Sequence, residues 1–159
     1  MKTLIVIPAY NEQDNIKKVV DNIIQNFPRY DYVIVNDGSS DETSEICHRN
    51  GYNTIDLPVN LGLAGAFQTG LKYAYKNGEY DRVIQLDADG QHLPQYIADL
   101  SRYMDKTDAD IVIGSRFVNA KKPRTRRMFG SRVISGAIYI TTGKNSPTPQ
   151  AVCVCLTEK

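Results

Sequence analysis

Short apolar segments rich in β-branched residues alternate along the chain with segments of helical periodicity. The apolar segments are residues 4–7, 32–35, 82–86 and 110–113. Each is followed by Pro, Gly, Asp or Ser, a pattern typical of buried strands. Apolar residues at three- and four-residue spacing predict helices over 15–24, 41–49, 63–75 and 95–104. This alternation predicts an α/β fold with a mostly parallel sheet, whose ligands bind beyond the carboxyl ends of the strands.

The length of 159 residues fits a single domain, and the 42% of hydrophobic residues excludes wholesale disorder. The sequence contains neither a run of about 18 apolar residues nor a signal-peptide core, so we expect a cytoplasmic protein. Three cysteines cannot form a disulfide framework. The pair Cys153 and Cys155 lacks the two-residue spacer of common zinc motifs, so it predicts no metal site.

The character of the sequence changes near its carboxyl terminus. Residues 145–156 show neither a helical period nor a strand bounded by turns. The sequence therefore predicts an α/β domain over residues 1–143 and an atypical tail over residues 144–159.

Basic residues are concentrated in one segment. The net charge is +1, but seven of the 19 Lys and Arg residues lie within 116–132, where no acidic residue occurs. The rest of the chain holds 12 basic residues against 18 acidic ones. This asymmetry favours contact with phosphate on a nucleotide, a lipid headgroup or a nucleic acid, although a solvated basic loop is the simpler alternative.

Two carboxylates follow the third predicted strand. Asp87 and Asp89 are separated by one residue, so both can reach the same small volume beyond the strand end. Their mutual repulsion is relieved by a divalent cation, and such oxygen ligands suit Mg²⁺ or Mn²⁺ with positions left open for a diphosphate. The alternative is a turn in which both carboxylates accept hydrogen bonds from backbone amides.

Polar residues also follow the first two strands. Tyr10 and Glu12 come after the first strand, where the ring could face a nucleobase and the carboxylate a hydroxyl group. Asp37 follows the second strand and is expected to be free for a base or ribose, whereas Ser40 or Asp41 is a plausible N-cap. Residues 60–66 open a helix with small side chains that suit either a ligand or close packing on the sheet. Neither a Gly-x-Gly-x-x-Gly dinucleotide motif nor a Gly-Lys-Ser/Thr phosphate loop occurs.

Five motifs in order resemble the pattern of glycosyltransferase family 2, particularly the branch of dolichyl- or polyprenyl-phosphate mannose and glucose synthases. They are Ile-Pro-Ala-Tyr-Asn-Glu, Val-Asn-Asp-Gly-Ser-Ser-Asp, Asn-Leu-Gly, Asp-Ala-Asp-Gly-Gln-His-x-Pro and Ile-Gly-Ser-Arg. The resemblance covers residues 1 to about 143 and implies a GT-A (Rossmann-like) fold. One such motif is weak, but five in order are specific.

The resemblance implies a role for individual residues. The residues that it assigns to the nucleotide sugar are Pro8, Tyr10, Glu12, Val35, Asp37, Asp87, Ala88, Asp89 and Arg116. Val35 and Asp37 would hold the base and ribose, and Asp89, with Asp87 and Gln91 beside it, would bind Mg²⁺ or Mn²⁺. Asp89 and Arg116 would be catalytic, because the cation and the guanidinium stabilise the charge of the leaving diphosphate. His92 is not expected to be a metal ligand.

The resemblance also implies a reaction and its partners. A sugar would pass from a nucleoside-diphosphate sugar to a polyprenyl phosphate or glycan with inversion at C1, at the cytoplasmic face of a membrane if the acceptor is a lipid. A lipid phosphate is already anionic and needs no strong base, whereas a sugar hydroxyl needs a carboxylate to take its proton. The basic segment would lie near the acceptor, and a nucleic-acid partner is not expected because it leaves Asp37, Asp87 and Asp89 without a purpose.

The tail departs from the family pattern. Shifting the reading frame back by one base from Lys144 permits Lys-Phe-Thr-Asp-Pro-Thr-Ser-Gly-Met-Arg-Leu-Phe, which is the continuation expected of the family. We therefore expect a frameshifted terminus and a shortened acceptor half. The alternatives to a glycosyltransferase are a catalytically inactive fragment that binds the nucleotide sugar, and a nucleotidyltransferase.

Overall fold

The computed structural model describes residues 1–89, 96–107, 109–115 and 151–157. Within these ranges, six strands and four helices follow one another along the chain. The strands are β1 (Thr3–Ala9), β2 (Asp31–Asn36), β3 (Thr54–Asp56), β4 (Arg82–Gln85), β5 (Ile111–Ser115) and β6 (Ala151–Thr157). The helices are α1 (Ile16–Asn26), α2 (Thr43–Arg49), α3 (Gly62–Asn77) and α4 (Ile97–Thr107).

The strands form one sheet in the order β3-β2-β1-β4-β6-β5. β1 runs parallel to β2 and β4, and β2 runs parallel to β3, whereas β6 runs antiparallel to β4. β1 is central, since Ile5 is paired with Tyr32 on one side and with Ile84 on the other. The carboxyl ends of four parallel strands therefore meet at one edge of the sheet, which confirms the predicted mostly parallel α/β fold.

Helices cover both faces of this sheet. All seven residues of β1 are buried, and their side chains alternate between two apolar layers. Ile5 and Ile7 belong to the layer that includes apolar residues of α1, α2 and α4. Leu4 and Val6 belong to the layer that includes Ala66 and Ala74 of α3. A strand buried on both faces explains why β1 is a continuous apolar run in the sequence.

Helix α3 packs closely against β1, and Gly70 makes this contact possible. A Cβ atom added to Gly70 would lie 2.3 Å from Cγ1 of Val6, far inside van der Waals contact. The absence of a side chain therefore sets the distance between the helix and the strand. This packing fixes the start of α3 beside the carboxyl edge of the sheet.

All four predicted strands and all four predicted helices are present, with ends that differ from the prediction by a few residues. Two strands were not predicted. β3 is three residues long and largely polar, and it is defined by its pairing with β2, in which Ile34 is the partner of Thr54. A pattern of three residues carries too little periodicity to be recognised.

Residues 151–157 of the predicted tail form a strand that no turn-bounded pattern in the sequence had indicated. These residues form β6, in which Leu156 is the partner of Val83 on β4. Val152 and Val154 have the β-branched side chains that favour strands, but no turn residue marks the end of the segment. Pairing with β4 therefore decides the conformation here.

The chain divides into two compact units, of which the first comprises Met1–Ile113 and Cys153–Lys159 and the second Gly114–Val152. The site described below lies in the first unit. None of the helices in the described ranges has the length and apolar character needed to cross a membrane.

Candidate functional site

A cleft of about 230 Å³ lies at the carboxyl edge of the sheet. It is bounded by the loops that follow β1, β2 and β4 and by the first turns of α3. Its lining residues are Pro8, Ala9, Tyr10, Glu12, Asp37, Leu63, Ala66, Asp87, Ala88 and Asp89. Four carboxylates and a half-exposed tyrosine ring, separated by up to about 80 residues of sequence, thus share one volume.

Seven of the nine residues predicted to bind a nucleotide sugar line this cleft. They are Pro8, Tyr10, Glu12, Asp37, Asp87, Ala88 and Asp89. Val35 does not line it, because its side chain is fully buried in the apolar layer below α3. Arg116 and the predicted metal ligand Gln91 lie outside the described residues, as does His92.

Asp37 is held at the base of the cleft by the backbone. Its amide donates to the carbonyl of Ala9 at 2.8 Å, which joins the ends of β1 and β2. Its carboxylate is 3% exposed, and Oδ1 accepts a hydrogen bond from the Leu61 amide at 2.7 Å. The expectation of a free Asp37 carboxylate is therefore wrong for Oδ1. Among the described residues, no hydrogen bond to Oδ2 is formed, so that oxygen can serve a ligand.

The loops after β1 and β2 are joined by a set of hydrogen bonds that we call the loop clasp. Its partners are Asn11 with Ser39 and Ser40, Glu12 with Thr43, and Gln13 with Asp41 and Glu42. Each of these bonds connects the loop after β1 with the loop after β2 or with Thr43, the first residue of α2, and their lengths range from 2.8 to 3.3 Å. The loop clasp therefore holds the lining residues that follow β1 beside those that follow β2.

Asn11 lies at the centre of the loop clasp and has a positive φ of 56°. Its amide donates to Oγ of Ser39, and its Oδ1 accepts from the amide of Ser40. Asparagine tolerates this left-handed conformation better than most residues. The sequence offers only a weak signal for this role, because Asn11 is polar and lies next to a predicted strand end.

Asp41 binds the first residue of α2, but the N-cap position is held by Glu42, so the prediction of Ser40 or Asp41 as N-cap is wrong by one residue or more. Oδ1 of Asp41 accepts from the Thr43 amide at 2.9 Å and from Oγ1 of Thr43 at 2.5 Å. Burial raises the pKa of Asp41, but these bonds and the one from Gln13 outweigh burial and lower it below its usual range. The other candidate, Ser40, instead donates its hydroxyl to Asn11.

Asp87 and Asp89 enter the cleft directly after β4. The amide of Leu86 donates to the carbonyl of Val6 at 3.0 Å, so this segment continues beside β1 beyond the last residue of β4. Both carboxylates are half-buried, and Oδ1 of Asp87 accepts from Nε2 of Gln85 at 3.0 Å. Within the described ranges, no three His, Cys, Asp or Glu side chains form a group suited to a metal ion. The segment after β4 therefore offers a cation two carboxylates, those of Asp87 and Asp89.

Leu63 and Ala66 line the cleft from α3, and sequence reasoning did not single them out as individual residues. The segment 60–66 was recognised as suited to a ligand or to packing, and the structure uses it for both. Leu63 is exposed at the cleft, while Ala66 is buried against the sheet. Helical periodicity alone could not separate these two orientations.

Comparison with known proteins identifies relatives over nearly the whole chain. The family described as Glycosyl transferase family 2 matches residues 4–156. The polyprenol monophosphomannose synthase of Mycolicibacterium smegmatis is 32% identical over 74% of this chain and 46% of its own length. The UDP-N-acetylglucosamine–dolichyl-phosphate N-acetylglucosaminyltransferase of Methanococcus voltae is 34% identical over 89% of this chain and 66% of its own length. The chain thus spans between about half and two thirds of the length of these two relatives.

A solved structure resembles almost the entire chain. Glucosyl-3-phosphoglycerate synthase from Mycobacterium tuberculosis, in complex with Mn²⁺, UDP-glucose and phosphoglyceric acid, superposes with a TM-score of 0.72. The match covers 98% of this chain and 56% of that protein at 19% sequence identity. At this identity, the likeness concerns the fold.

Proposed function

The chain belongs to glycosyltransferase family 2 and has the GT-A fold, and from this premise we propose that it transfers a sugar from a nucleoside-diphosphate sugar to a polyprenyl-phosphate or glycan acceptor. The observation that carries the proposal is the cleft itself. Residues from three separate strand ends, each expected from the sequence to contact a nucleotide sugar, line one volume. The M. smegmatis and M. voltae relatives are named for transfer to polyprenol or dolichyl phosphate.

The nucleoside is proposed to bind in the part of the cleft between the loops after β1 and β2. Oδ2 of Asp37 is the acceptor available there for a base N–H or a ribose hydroxyl, since Oδ1 already accepts from Leu61. The half-exposed ring of Tyr10 offers a flat surface to the base. The carboxylate of Glu12 is partly engaged, because its Oε2 accepts from Asn15 at 2.9 Å. Val35 would act through the backbone, since its side chain is buried.

A divalent cation fits the donor set at the end of β4. Mg²⁺ is commonly held by one or two carboxylates, with substrate phosphates and water completing its shell, and Asp87 and Asp89 supply such carboxylates in the cleft. Asp87 and Asp89 would hold Mg²⁺ or Mn²⁺, with Gln91 as a further proposed ligand. When bound, the cation neutralises charge that develops on the leaving diphosphate. The M. tuberculosis protein of the same fold was solved with Mn²⁺ and UDP-glucose.

Transfer is proposed to proceed by a single displacement at the sugar C1 with inversion. Arg116 is the proposed partner of the donor phosphates, because a guanidinium can bind two phosphate oxygens at once. The seven basic residues within 116–132 are proposed to face an anionic acceptor. A phosphate acceptor attacks as an anion and needs no general base. Such a lipid acceptor would bring the protein to the cytoplasmic face of a membrane.

The competing outcome is a chain that binds the nucleotide sugar but does not transfer it. This outcome goes with the proposed division into a donor-binding domain over 1–143 and an atypical, frameshifted tail over 144–159. Sequencing the coding DNA tests the frameshift, since a shifted frame without Asp-Pro-Thr-Ser-Gly-Met-Arg contradicts it.

The proposed donor site is tested by calorimetric titration of UDP, GDP and their sugar conjugates with and without Mn²⁺. We expect metal-dependent binding that is lost in Asp89→Asn, because that substitution removes one of the two carboxylate charges. The matched control is Asp99→Asn, which neutralises an exposed carboxylate on α4 that pairs with Arg102. Absence of binding by the unsubstituted chain to any nucleotide contradicts the proposal.

Transfer itself is tested by following release of the nucleoside diphosphate in the presence of undecaprenyl phosphate in detergent. Release that depends on both Mn²⁺ and the lipid supports the transferase. Metal-dependent binding without any release contradicts transfer to this lipid, and the same result with a glycan acceptor identifies the chain as a donor-binding fragment.

A further inference from the structure

The carboxylate of Asp56, the last residue of β3, accepts three hydrogen bonds behind the cleft. Its Oδ1 accepts from Nδ2 of Asn36 and from Oγ of Ser44, both at 2.7 Å. Its Oδ2 lies 2.6 Å from Nε2 of His48. Burial raises the pKa of Asp56, but the hydrogen bonds from Asn36, Ser44 and His48 outweigh burial and lower it below its usual range. Asp56 is therefore a charged acceptor at neutral pH, and we call these four residues the Asp56 cluster.

The Asp56 cluster fixes the orientation of the Asn36 side chain. Asn36 is the last residue of β2, and its side chain is 97% buried, so its amide must find its partners within the protein. A carboxylate can only accept hydrogen bonds, which requires the NH₂ group of Asn36 to face Asp56. The amide oxygen then faces the opposite way, where it accepts from the Ser39 amide at 3.2 Å.

The bond from Asn36 to Ser39 closes the turn that contains Asp37 and Gly38. From this turn, Oδ1 of Asp37 binds the Leu61 amide, and Oγ of Ser39 accepts from the amide of Asn11 in the loop clasp. A continuous series of hydrogen bonds thus leads from β3 to both loops that border the cleft. Neither Asn36 nor Asp56 lines the cleft, so neither can contact a ligand in it directly.

We propose that Asn36 and Asp56 are positioning residues that hold the Asp37 turn in its binding geometry and thereby set the affinity for the nucleotide part of the donor. This inference rests on the proposed function, because it takes Asp37 as a contact of the nucleoside. It assigns the effect to one bond, the amide-to-carboxylate contact between β2 and β3. The carboxylate supplies the acceptor, and the direction of the bond determines which end of the Asn36 amide faces the turn.

The direction of this bond can be reversed by substitution. Asn36→Asp places a second carboxylate against Asp56, so the two side chains repel each other and the hold on Ser39 is lost. In the double variant Asn36→Asp/Asp56→Asn, the donor and the acceptor exchange places. The new carboxylate on β2 can then accept from the new amide on β3 and from Ser39 at the same time. Glu45→Gln is the matched control, because it neutralises an exposed carboxylate on α2 that pairs with Arg49.

Three quantities are measured for each variant: the dissociation constant for UDP or GDP by calorimetry, the thermal midpoint, and hydrogen exchange of the peptide that contains the Ser39 amide. We expect Asn36→Asp to weaken nucleotide binding by about tenfold and to accelerate exchange at Ser39, as loss of one hydrogen bond would. The double variant is expected to recover affinity to within about threefold of the original chain. Glu45→Gln is expected to leave the affinity and the exchange at Ser39 unchanged.

A double variant that binds as weakly as Asn36→Asp overturns the inference, as does an Asn36→Asp variant with unchanged affinity. Losses of affinity that follow the thermal midpoint in every variant, Glu45→Gln included, also overturn it, because they indicate a general effect on folding. If the original chain binds no nucleotide, the proposed function and the effect on affinity both fail. Exchange at Ser39 then still decides whether the Asp56 cluster holds the turn.

Discussion

Gly38 occupies a position at which both the backbone conformation and the surrounding space exclude a side chain. Its φ is +66°, in the left-handed region that side chains disfavour. A Cβ atom there would lie 2.8 Å from the backbone nitrogen of Asn60 and 2.8 Å from the carbonyl carbon of Val59. The same close approach brings the next amide, that of Leu61, to Asp37. One glycine thus permits both the turn and the anchoring of the carboxylate.

We expect Gly38→Ala to lower the free energy of unfolding by more than Gly51→Ala. Gly51 has a nearly identical φ of +68°, but nothing lies within 4 Å of an added Cβ, so its substitution costs only the conformational strain of about 1–2 kcal/mol. Urea denaturation of both variants isolates the steric contribution. Equal losses would mean that the segment around Asn60 moves aside without cost.

A glycine also sets the distance between helix α3 and strand β1. Gly70 of α3 faces Val6 of β1, and the nearest atoms to an added Cβ are the two γ carbons and the β carbon of that valine. The close contact is therefore a property of the pair. A larger residue at either position has to displace the helix that carries Leu63 and Ala66 to the cleft.

We expect Gly70→Ala to destabilise the protein by about 1–3 kcal/mol through overpacking, although alanine is the better helix former. Val6→Ala alone should also destabilise, by loss of buried apolar atoms. In the double variant Gly70→Ala/Val6→Ala, removal of the γ carbons admits the new methyl group, so the combined loss should be smaller than the sum of the two. Additive losses in a denaturation cycle would contradict this packing argument.

The elements that could be predicted from the sequence are those whose own periodicity identifies them. β1, β2 and α1 have apolar residues at the spacing that their burial requires, and their ends carry turn-forming residues. β3 and β6 lack such signals, because pairing with β2 and β4 defines them. Short strands of this kind depend on partners that are distant in sequence.

The sequence predicts which residues the candidate site brings together but not the hydrogen bonds that hold them. Asp37, Asp87 and Asp89 follow predicted strands, so a parallel sheet brings them to one edge. The loop clasp and the Asp56 cluster could not be predicted, because their hydrogen bonds depend on the placement of loops and of a strand that the sequence did not reveal. The engagement of Asp37 by the Leu61 amide was missed for the same reason.

In the described part of the chain, several titratable groups are stabilised in the states that they hold at neutral pH. Hydrogen bonds lower the pKa of Asp21, chiefly from Lys17, and that of Asp105, chiefly from Arg82. Two tyrosines have a raised pKa. Burial and the neighbouring Asp31 raise the pKa of Tyr80 to about 12. Burial and a hydrogen bond to Asp21 raise the pKa of Tyr52. The folded state therefore favours ionised carboxylates and neutral phenols.

We expect the stability to fall on both sides of neutral pH. Carboxylates with a lowered pKa contribute stability above the unfolded value of about 4, and this contribution is lost as the pH falls through their folded pKa values. Phenols with a raised pKa contribute fully below the unfolded value of about 10, and this contribution is lost as the pH rises toward 12.

Urea midpoints measured from pH 2 to 12 test both limbs. Tyr80→Phe should flatten the alkaline limb, whereas Tyr75→Phe, at an exposed position on α3, should leave it unchanged. An alkaline limb that is the same in Tyr80→Phe and the original chain would contradict the assignment.

The loop clasp joins residues that are close in sequence, and this has a consequence for the order in which the chain becomes able to fold. Its partners are 28 to 31 residues apart, whereas the pairing of β1 with β4 joins Leu4 to Val83. Closing the longer chain segment between Leu4 and Val83 costs about 0.9 kcal/mol more in chain entropy than closing the clasp. During synthesis, every residue of the clasp has left the ribosome's active centre before β4 begins. The Tyr10 and Asp37 side of the cleft can therefore be organised on the nascent chain while the Asp87 and Asp89 side does not yet exist.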